Sequence, residues 1–290
     1  MPSEPNSGDR KEARSKKNKD MRKHHLIIIL ALLLTLPRTA WSQSAFQSGE
    51  QLDYSLYYNW GFVWVKAGSA TLTIQKSIYA NQAAYCTRLL MRGSKKADGY
   101  FVLRDTLTSY VTVDRLRPLY YTKRDIEGKK HKLREVYYSY QSYQNNNCRA
   151  RQKYIHANGK ITQRDETRSA QIYDMLSIML KARNFNTAHW KKGKHIDFLM
   201  TDGNGVKKQT LIYRGKTNVK MRDSKTTYRC LELSFIEEED DEQNEVITFF
   251  VTDDSNHLPV RLDMYLKFGS AKVYLTNYSG LKNPIGAQIK

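Results

Sequence analysis

Leu258-Pro259-Val260-Arg261-Leu262-Asp263-Met264-Tyr265-Leu266-Lys267-Phe268 runs into Gly269-Ser270 and then into Ala271-Lys272-Val273-Tyr274-Leu275. In the first run Leu258, Val260, Leu262, Met264, Leu266 and Phe268 fall on one side, with Arg261, Asp263 and Lys267 on the other. Successive side chains of a strand point to opposite faces, so a period of two marks a strand buried on one face. Two such runs joined by a short Gly-Ser segment read as a β-hairpin.

The same period recurs through the chain. Leu52, Tyr54, Leu56 and Tyr58 share a face, which puts Tyr57 on the opposite one. Ala70, Leu72 and Ile74 follow Gly68 in the same manner. Phe101, Leu103, Leu107, Val111 and Val113 predict a long strand, with Asp105 and Ser109 as polar exceptions on its apolar face. Val136, Tyr138 and Tyr140 continue the pattern. Glu237-Glu238-Glu239-Asp240-Asp241-Glu242 lies between strand-like segments at 227–236 and 245–252 and reads as a solvated hairpin tip. It lacks the glycine that a calcium loop needs for its turn.

One segment departs from period two. Ile172, Met175, Leu176, Met179 and Leu180 recur at helical spacing and predict one amphipathic helix, about 171–183. Its apolar stripe needs a sheet to cover, and the β–helix–β order supplies one. The expected fold is therefore mainly β: a large curved antiparallel sheet or open barrel with one packed helix. A β-sandwich is the alternative.

The N-terminal part reads as an export signal. Met21-Arg22-Lys23 precedes an apolar run from Leu26 to Leu36, and Ala40-Trp41-Ser42 precedes Gln43. A basic start, a short apolar run and small residues at −3 and −1 define a secretory signal peptide at 21–42, cleaved between Ser42 and Gln43. Pro37 and Arg38 end the run well short of the ~20 apolar residues that a membrane-spanning helix needs. Residues 1–20 read either as an extended basic leader or as lying upstream of a true start at Met21. They are expected to be disordered. Residues 46–281 are expected to form a single β-rich domain, and 282–290 a flexible tail.

Of 48 Lys/Arg and 29 Asp/Glu residues, 9 and 4 precede Gln43, which leaves an excess of 14 positive charges behind it. Those charges alternate with apolar residues, the pattern of a solvated sheet face. A surface that meets anionic headgroups or polysaccharide is the functional counterpart. An exported chain without a nucleic-acid module argues against nucleic acid as the partner. Three cysteines cannot all pair. Cys86 and Cys230 fall in strand-like runs and read as free buried thiols, while Cys148 follows Asn145-Asn146-Asn147 in a predicted loop.

No nucleophile elbow, zinc-binding helix or phosphate loop is present. The scattered histidines predict no metal site, and no cofactor is expected. Aromatic residues carry more signal: Tyr57-Tyr58, Tyr120-Tyr121, Tyr137-Tyr138-Ser139-Tyr140, and Trp60 and Trp64 around Gly61-Phe62-Val63. A strand tyrosine often packs its ring on the sheet and points its hydroxyl at water. The functional alternative is a concave aromatic wall for a sugar or an acyl chain, with Tyr54, Tyr58, Trp60, Trp64, Tyr138 and Tyr140 as candidate ligand-binding residues.

Three sets of motifs, in order, carry a family resemblance. Gly49-Glu50-Gln51-Leu52-Asp53-Tyr54, with Trp60-Gly61 and Ala67-Gly68-Ser69-Ala70, is similar to the opening of the exported bacterial family known as domain of unknown function 3108. Tyr173-Asp174-Met175-Leu176-Ser177 with Arg183 resembles its middle motif. Phe250-Val251-Thr252-Asp253-Asp254 and Leu258-Pro259-Val260 resemble its closing strand pair, with Phe250 in place of a tryptophan. The resemblance spans residues 48–281. It implies an exported, β-rich envelope protein and carries no catalytic residues. Asp174 and Arg183 are the family-like polar positions, and the helix dipole suits an acid at the start and a base at the end.

The expected function is a non-catalytic protein of the periplasm or envelope that binds a lipid-like or glycan ligand. One alternative is an enzyme acting on envelope polysaccharide, which needs two facing carboxylates from among Asp98, Asp105, Asp125 and Glu127. The other is an assembly protein that pairs with an envelope partner through a sheet edge.

Overall fold

The computed structural model describes residues 44–60, 63–95, 102–128, 130–142, 145–239, 242–266 and 269–289. The leader, the signal segment 21–42 and the Ser42–Gln43 junction lie outside the described residues, as do Asp98, Phe101, Phe268 and the side chains of Trp60 and Glu127. The strands are β1 Glu50–Trp60, β2 Val63–Tyr79, β3 Gln82–Gly93, β4 Arg104–Thr112, β5 Pro118–Glu127, β6 Lys130–Tyr140, β7 Cys148–Ile155 and β8 Ile161–Arg168. Then come β9 Ile172–Tyr173, helix α1 Met175–Arg183, β10 His195–Thr201, β11 Val206–Lys220, β12 Thr227–Glu239, β13 Glu242–Thr252, β14 Pro259–Tyr265, β15 Ser270–Ser279 and β16 Gln288–Ile289.

These strands form one sheet in the order β8-β7-β6-β5-β4-β3-β2-β1-β15-β14-β13-β12-β11-β10-β9, with β16 added to β12. The fold is thus an open, barrel-like antiparallel sheet and not a sandwich of two sheets. Two up-and-down meanders are joined where β1 pairs with β15. Among the described strands, only β9 and β10 run parallel. Among the described residues, the ends of the sheet meet through side chains rather than through a backbone ladder. Gln152 Oε1 of β7 accepts from Thr201 Oγ1 at 2.6 Å and from Gly205 N at 2.8 Å. Glu166 of β8 accepts from Val206 N at 3.0 Å, and Arg134 of β6 pairs with Asp202 at 2.6 Å.

The interior holds packed apolar side chains, and α1 ties its parts together. Leu176 joins the main cluster with Leu52, Tyr54, Leu107 and Val136. Ile178 joins a second with Phe198, Leu233 and Phe235, and Leu180 a third with Phe46, Ile74 and Val111. Each buried side chain of this size contributes roughly 1.5–3 kcal/mol relative to exposure.

The helix is shorter than its predicted span. Ile172-Tyr173 pairs with Leu199-Met200 as a strand, and Asp174 is the N-cap rather than a first-turn residue. Its carboxylate accepts from Leu176 N at 3.0 Å and Ser177 N at 2.9 Å, while the Asp174 N–H donates to Ser177 Oγ at 2.8 Å. This reciprocal pair satisfies free first-turn amides and stops the helix from extending backward. Met175, expected on the apolar stripe, is 43% exposed, whereas Ser177 and Arg183 are buried. Hydrophobic periodicity passed over those two because they are polar.

Both faces of β1 are covered around Tyr57. The register slips beside Leu56 and Tyr57, where β2 carries one extra residue, Ala67. The alternation of β1 itself holds: Tyr57 is buried on the face opposite Tyr54, where its ring packs edge-on against Tyr274 and its hydroxyl donates to Asp223, and Tyr58 is half-buried. Gly68 of β2 pairs with Leu56 beside this bulge. A Cβ on Gly68 would lie 2.2 Å from the Arg92 carbonyl oxygen. Gly68→Ala is expected to destabilise by about 1–3 kcal/mol, because backbone rather than a side-chain tip must yield. A urea midpoint equal to that of the wild type would refute the close approach.

Two further expectations are corrected. Cys148 opens β7 and is fully buried, since its alternation with Ala150 and Gln152 points it inward. Residues 282–289 are held rather than flexible. Asn283 N donates to Asn256 Oδ1 at 3.2 Å, Gly286 N and Ala287 N donate to Asp254 Oδ2 at 3.0 and 3.1 Å, and Gln288–Ile289 pairs with β12. Backbone groups bonded in this way anchor a terminus.

Candidate functional site

Five of the six aromatic candidates have described side chains, and most of them are core residues. Tyr54 is buried, and its hydroxyl donates to the Pro259 carbonyl at 3.1 Å. Tyr138 is buried in the main cluster. Tyr140 packs on that cluster, donates to Pro118 O at 2.7 Å and accepts from Gln171 Nε2 at 2.8 Å. Burial pushes the phenols of Tyr54, Tyr138 and Tyr140 upward, so all three stay neutral. Trp64 sits toward the far end of the β1–β2 hairpin with Lys272 Nζ 5.0 Å from its ring centroid, and Tyr58 lies near Gly269. Of the five whose side chains are described, Tyr54, Tyr138, Tyr140 and Trp64 thus form or pack on the main apolar cluster rather than line an open wall.

A different aromatic set does converge. On β6, Val136 and Tyr138 face the interior, so Glu135, Tyr137 and Ser139 face outward. Strand register then runs a straight outward row across neighbouring strands: Cys86, Tyr110, Tyr120, Tyr137, Arg151, Asp165. Tyr110 and Tyr120 have ring centroids 6.4 Å apart, and Tyr120 and Tyr137 5.0 Å apart. Tyr79, from the end of β2, stacks on Tyr120 at 5.7 Å and 8° and lies 5.0 Å from Tyr110. Tyr137 is 39% exposed and the other three are half-buried. The adjoining outward row is polar: Arg88, Thr108, Thr122, Glu135, Lys153, Gln163.

Glu135 organises the centre of this face. Tyr120 donates to it at 2.8 Å and Tyr137 at 3.3 Å, with Lys153 Nζ 3.6 Å away. Burial first, and then the Glu135 carboxylate, raise both phenols above their ordinary range. The row thus presents neutral rings at physiological pH. Beyond Tyr137 lies an open concavity of about 490 Å³ lined by Tyr137, Arg151, Gln152, Lys153, Gln163, Arg164 and Asp165. Asp165 is engaged by Arg149, Nε to Oδ1 at 2.8 Å, and that bond holds its carboxyl below the usual range.

The carboxylates considered for catalysis are arranged otherwise. Asp105 and Asp125 lie on neighbouring strands, but they are only 7% and 4% exposed. Asp105 accepts from Ile126 N at 3.3 Å, and Lys123 Nζ is 3.3 Å from Asp125. A polymer cannot reach carboxylates buried to that degree. The edge strand β8 carries Arg164, Asp165, Glu166 and Arg168, charges that discourage strand addition. No described helix is long and apolar enough to cross a membrane.

The motifs behind the family resemblance meet elsewhere. Arg183 at the end of α1 is 2% exposed and Glu50 is fully buried. The guanidinium grips the Glu50 carboxylate through Nη1 and through Nη2 at 3.1 Å. Its Nε donates to Asn256 O at 3.0 Å, and His257 Nδ1 donates to the Arg183 carbonyl at 2.7 Å. Opening, middle and closing motifs thus converge on one buried ion pair, a structural junction.

The fold and this outer face define a barrel-like β protein with a solid interior junction and an aromatic, basic outer surface. The chain belongs to the family described as protein of unknown function (DUF3108), whose model matches residues 53–276. A crystal structure of a β-barrel-like protein of domain of unknown function DUF1849 from Brucella abortus is similar at a TM-score of 0.51 and 13% identity, covering 80% of this chain and 98% of that one. At that identity the likeness concerns the fold alone. Comparison with curated proteins gives no match.

Proposed function

We propose that the protein is exported to the bacterial envelope and binds an extended carbohydrate chain, without catalysis, on its outer tyrosine row. The carrying observation is the row itself: Tyr110, Tyr120 and Tyr137 on three adjacent strands, with Tyr79 stacked across them. A ring's face carries partial negative charge, and the C–H face of a sugar is weakly positive and apolar, so the two pack favourably. Aromatic surface left open on a soluble sheet marks an interaction site more often than an accident of folding. The 21–42 signal pattern supports export. A lipid-like ligand has less support, because Tyr54 and Tyr138, its candidate wall, are packed core residues.

Affinity electrophoresis of the purified protein through gels cast with neutral and acidic polysaccharides tests this reading. Retardation by at least one polymer is expected, and Tyr120→Ala with Tyr137→Ala should weaken it. At about 0.5–1.5 kcal/mol per ring the pair should lose roughly five- to a hundredfold in affinity. Tyr54→Phe, an interior change, should leave retardation as it was. Migration unaffected by any polymer, or retardation indifferent to the tyrosine pair, would sink the proposal.

A further inference from the structure

We infer that the chain held on the tyrosine row is a neutral polysaccharide, and that Glu135 and Lys153 together take one of its hydroxyl groups. This rests on the row being the binding surface. Glu135 stands two positions before Tyr137 on the outward face of β6, and Lys153 is its direct neighbour on β7. Lys153 and its own neighbour on β8, Gln163, line the concavity with Tyr137. A sugar stacked on the Tyr137 ring therefore has these three polar side chains along one flank.

The geometry of the pair suits a hydroxyl. Both phenols donate to the same oxygen of Glu135, Oε1, at 2.8 and 3.3 Å, and the other, Oε2, is turned to Lys153. Lys153 Nζ lies 3.6 Å from Oε2, too far for a direct hydrogen bond. A group set against both atoms must accept from the ammonium and donate to the carboxylate. A hydroxyl does both, whereas an ionised carboxylate or phosphate only accepts. Hydrogen bonds to ionised partners are also the stronger kind. The Lys153 side chain is 39% exposed and that of Glu135 17%, so solvent reaches the pair. The cations of this face do not make it a polyanion site. Arg151 stands opposite Asp165, whose carboxyl is held below its usual range by Arg149 first and then by Arg151. An acidic chain along the row would run past two carboxylates, Glu135 and Asp165, whose like charge opposes it. A neutral chain meets no such opposition.

The experiment is titration of the purified protein with neutral galactan, glucan, mannan and xylan and with polygalacturonate. The tightest neutral binder is then titrated again after O-methylation, which caps its hydroxyls and keeps its ring faces. The native neutral polymer should bind at least about tenfold tighter than polygalacturonate and than its own methylated form. Its affinity should be the same at low and high salt, since no net charge on the ligand is screened. E135Q and K153M should each bring the ratio of native to methylated polymer toward one. A residue that only orients the tyrosines would weaken both forms equally and leave that ratio where it was. Far-UV circular dichroism and melting curves establish that each variant is folded. Polygalacturonate as the tightest tyrosine-dependent binder would overturn this inference and leave the row standing, as would a methylated polymer that binds as well as the native one. Absence of tyrosine-dependent binding to any polymer would overturn both. An unchanged ratio in folded E135Q and K153M would overturn the assignment to this pair.

Discussion

Arg183→Leu is expected to lower stability by roughly 3–5 kcal/mol, because it strands the Glu50 carboxylate inside the protein. Glu50 is fully buried, and its charge is met by the Arg183 fork. The same substitution deprives Asn256 O of its bond at 3.0 Å and the Ala45 carbonyl of one at 3.3 Å. It also removes the cation from beside the Phe46 ring, 5.6 Å away. Three distant parts of the chain lose a shared anchor. The double variant Glu50→Leu with Arg183→Leu should recover part of the loss, since no buried charge is then left unpaired. Urea unfolding of the two variants gives the comparison. A single variant within about 1 kcal/mol of the wild type would mean that the junction is not what holds these segments.

Asp174 carries the second large effect, and its sign depends on pH. Asp174→Ala removes the acceptor for two helix amides, worth about 0.5–2 kcal/mol. It also orphans the buried Ser109 hydroxyl, which donates to Oδ2 at 2.9 Å, at a further ~1–3 kcal/mol. Asp174→Asn keeps an amide acceptor and removes the charge. Burial pushes the Asp174 carboxyl up to about 6 from an ordinary 3.8, outweighing the bonds from Ser177, Ser109 and Leu176 that oppose it. The folded chain therefore holds a proton that the unfolded chain has released. The stability owed to this group is fully present below about pH 4 and is lost as pH rises through about 6, some 3 kcal/mol in all at ~1.4 kcal/mol per pH unit. Wild type should thus lose ground to Asp174→Asn between pH 4 and 6 and hold a constant difference above that. A difference that does not vary with pH, or that moves the other way, would contradict a raised carboxyl.

Much of the architecture was legible along the chain. The hairpin at 258–275, the helix near 171–183 and the strands around Leu72, Leu107 and Val136 all follow from hydrophobic spacing. The candidate site was legible only in part. The Tyr120-Tyr121 and Tyr137-Tyr138 pairs stood out, but sequence reasoning favoured Tyr138 and Tyr140, which face inward with Val136. Tyr137 stands between Glu135 and Ser139 on the polar side, and that alternation was the available signal for an outward ring. Arg151, Lys153 and Glu135 gave no signal at all, because a charge on a solvated strand looks the same whether or not a tyrosine lies beside it.

Periodicity is a property of neighbouring residues, so the sequence by itself determined the β class, the single helix and the alternation within each strand. It also determined the family, through short motifs in a set order. What only the tertiary structure decided depends on contacts between distant residues. Tyr274 of β15 and Asp223 cover Tyr57, burying a ring on the face of β1 opposite Tyr54. The pairing of Glu50 with Arg183 across 133 positions turned family-like polar residues into a buried junction. The register of β4 through β7 placed Tyr110, Tyr120, Tyr137 and Arg151 in one line. No local pattern encodes these alignments. Each is selected by the free energy of burying one face of the whole sheet while every buried charge and amide finds a partner.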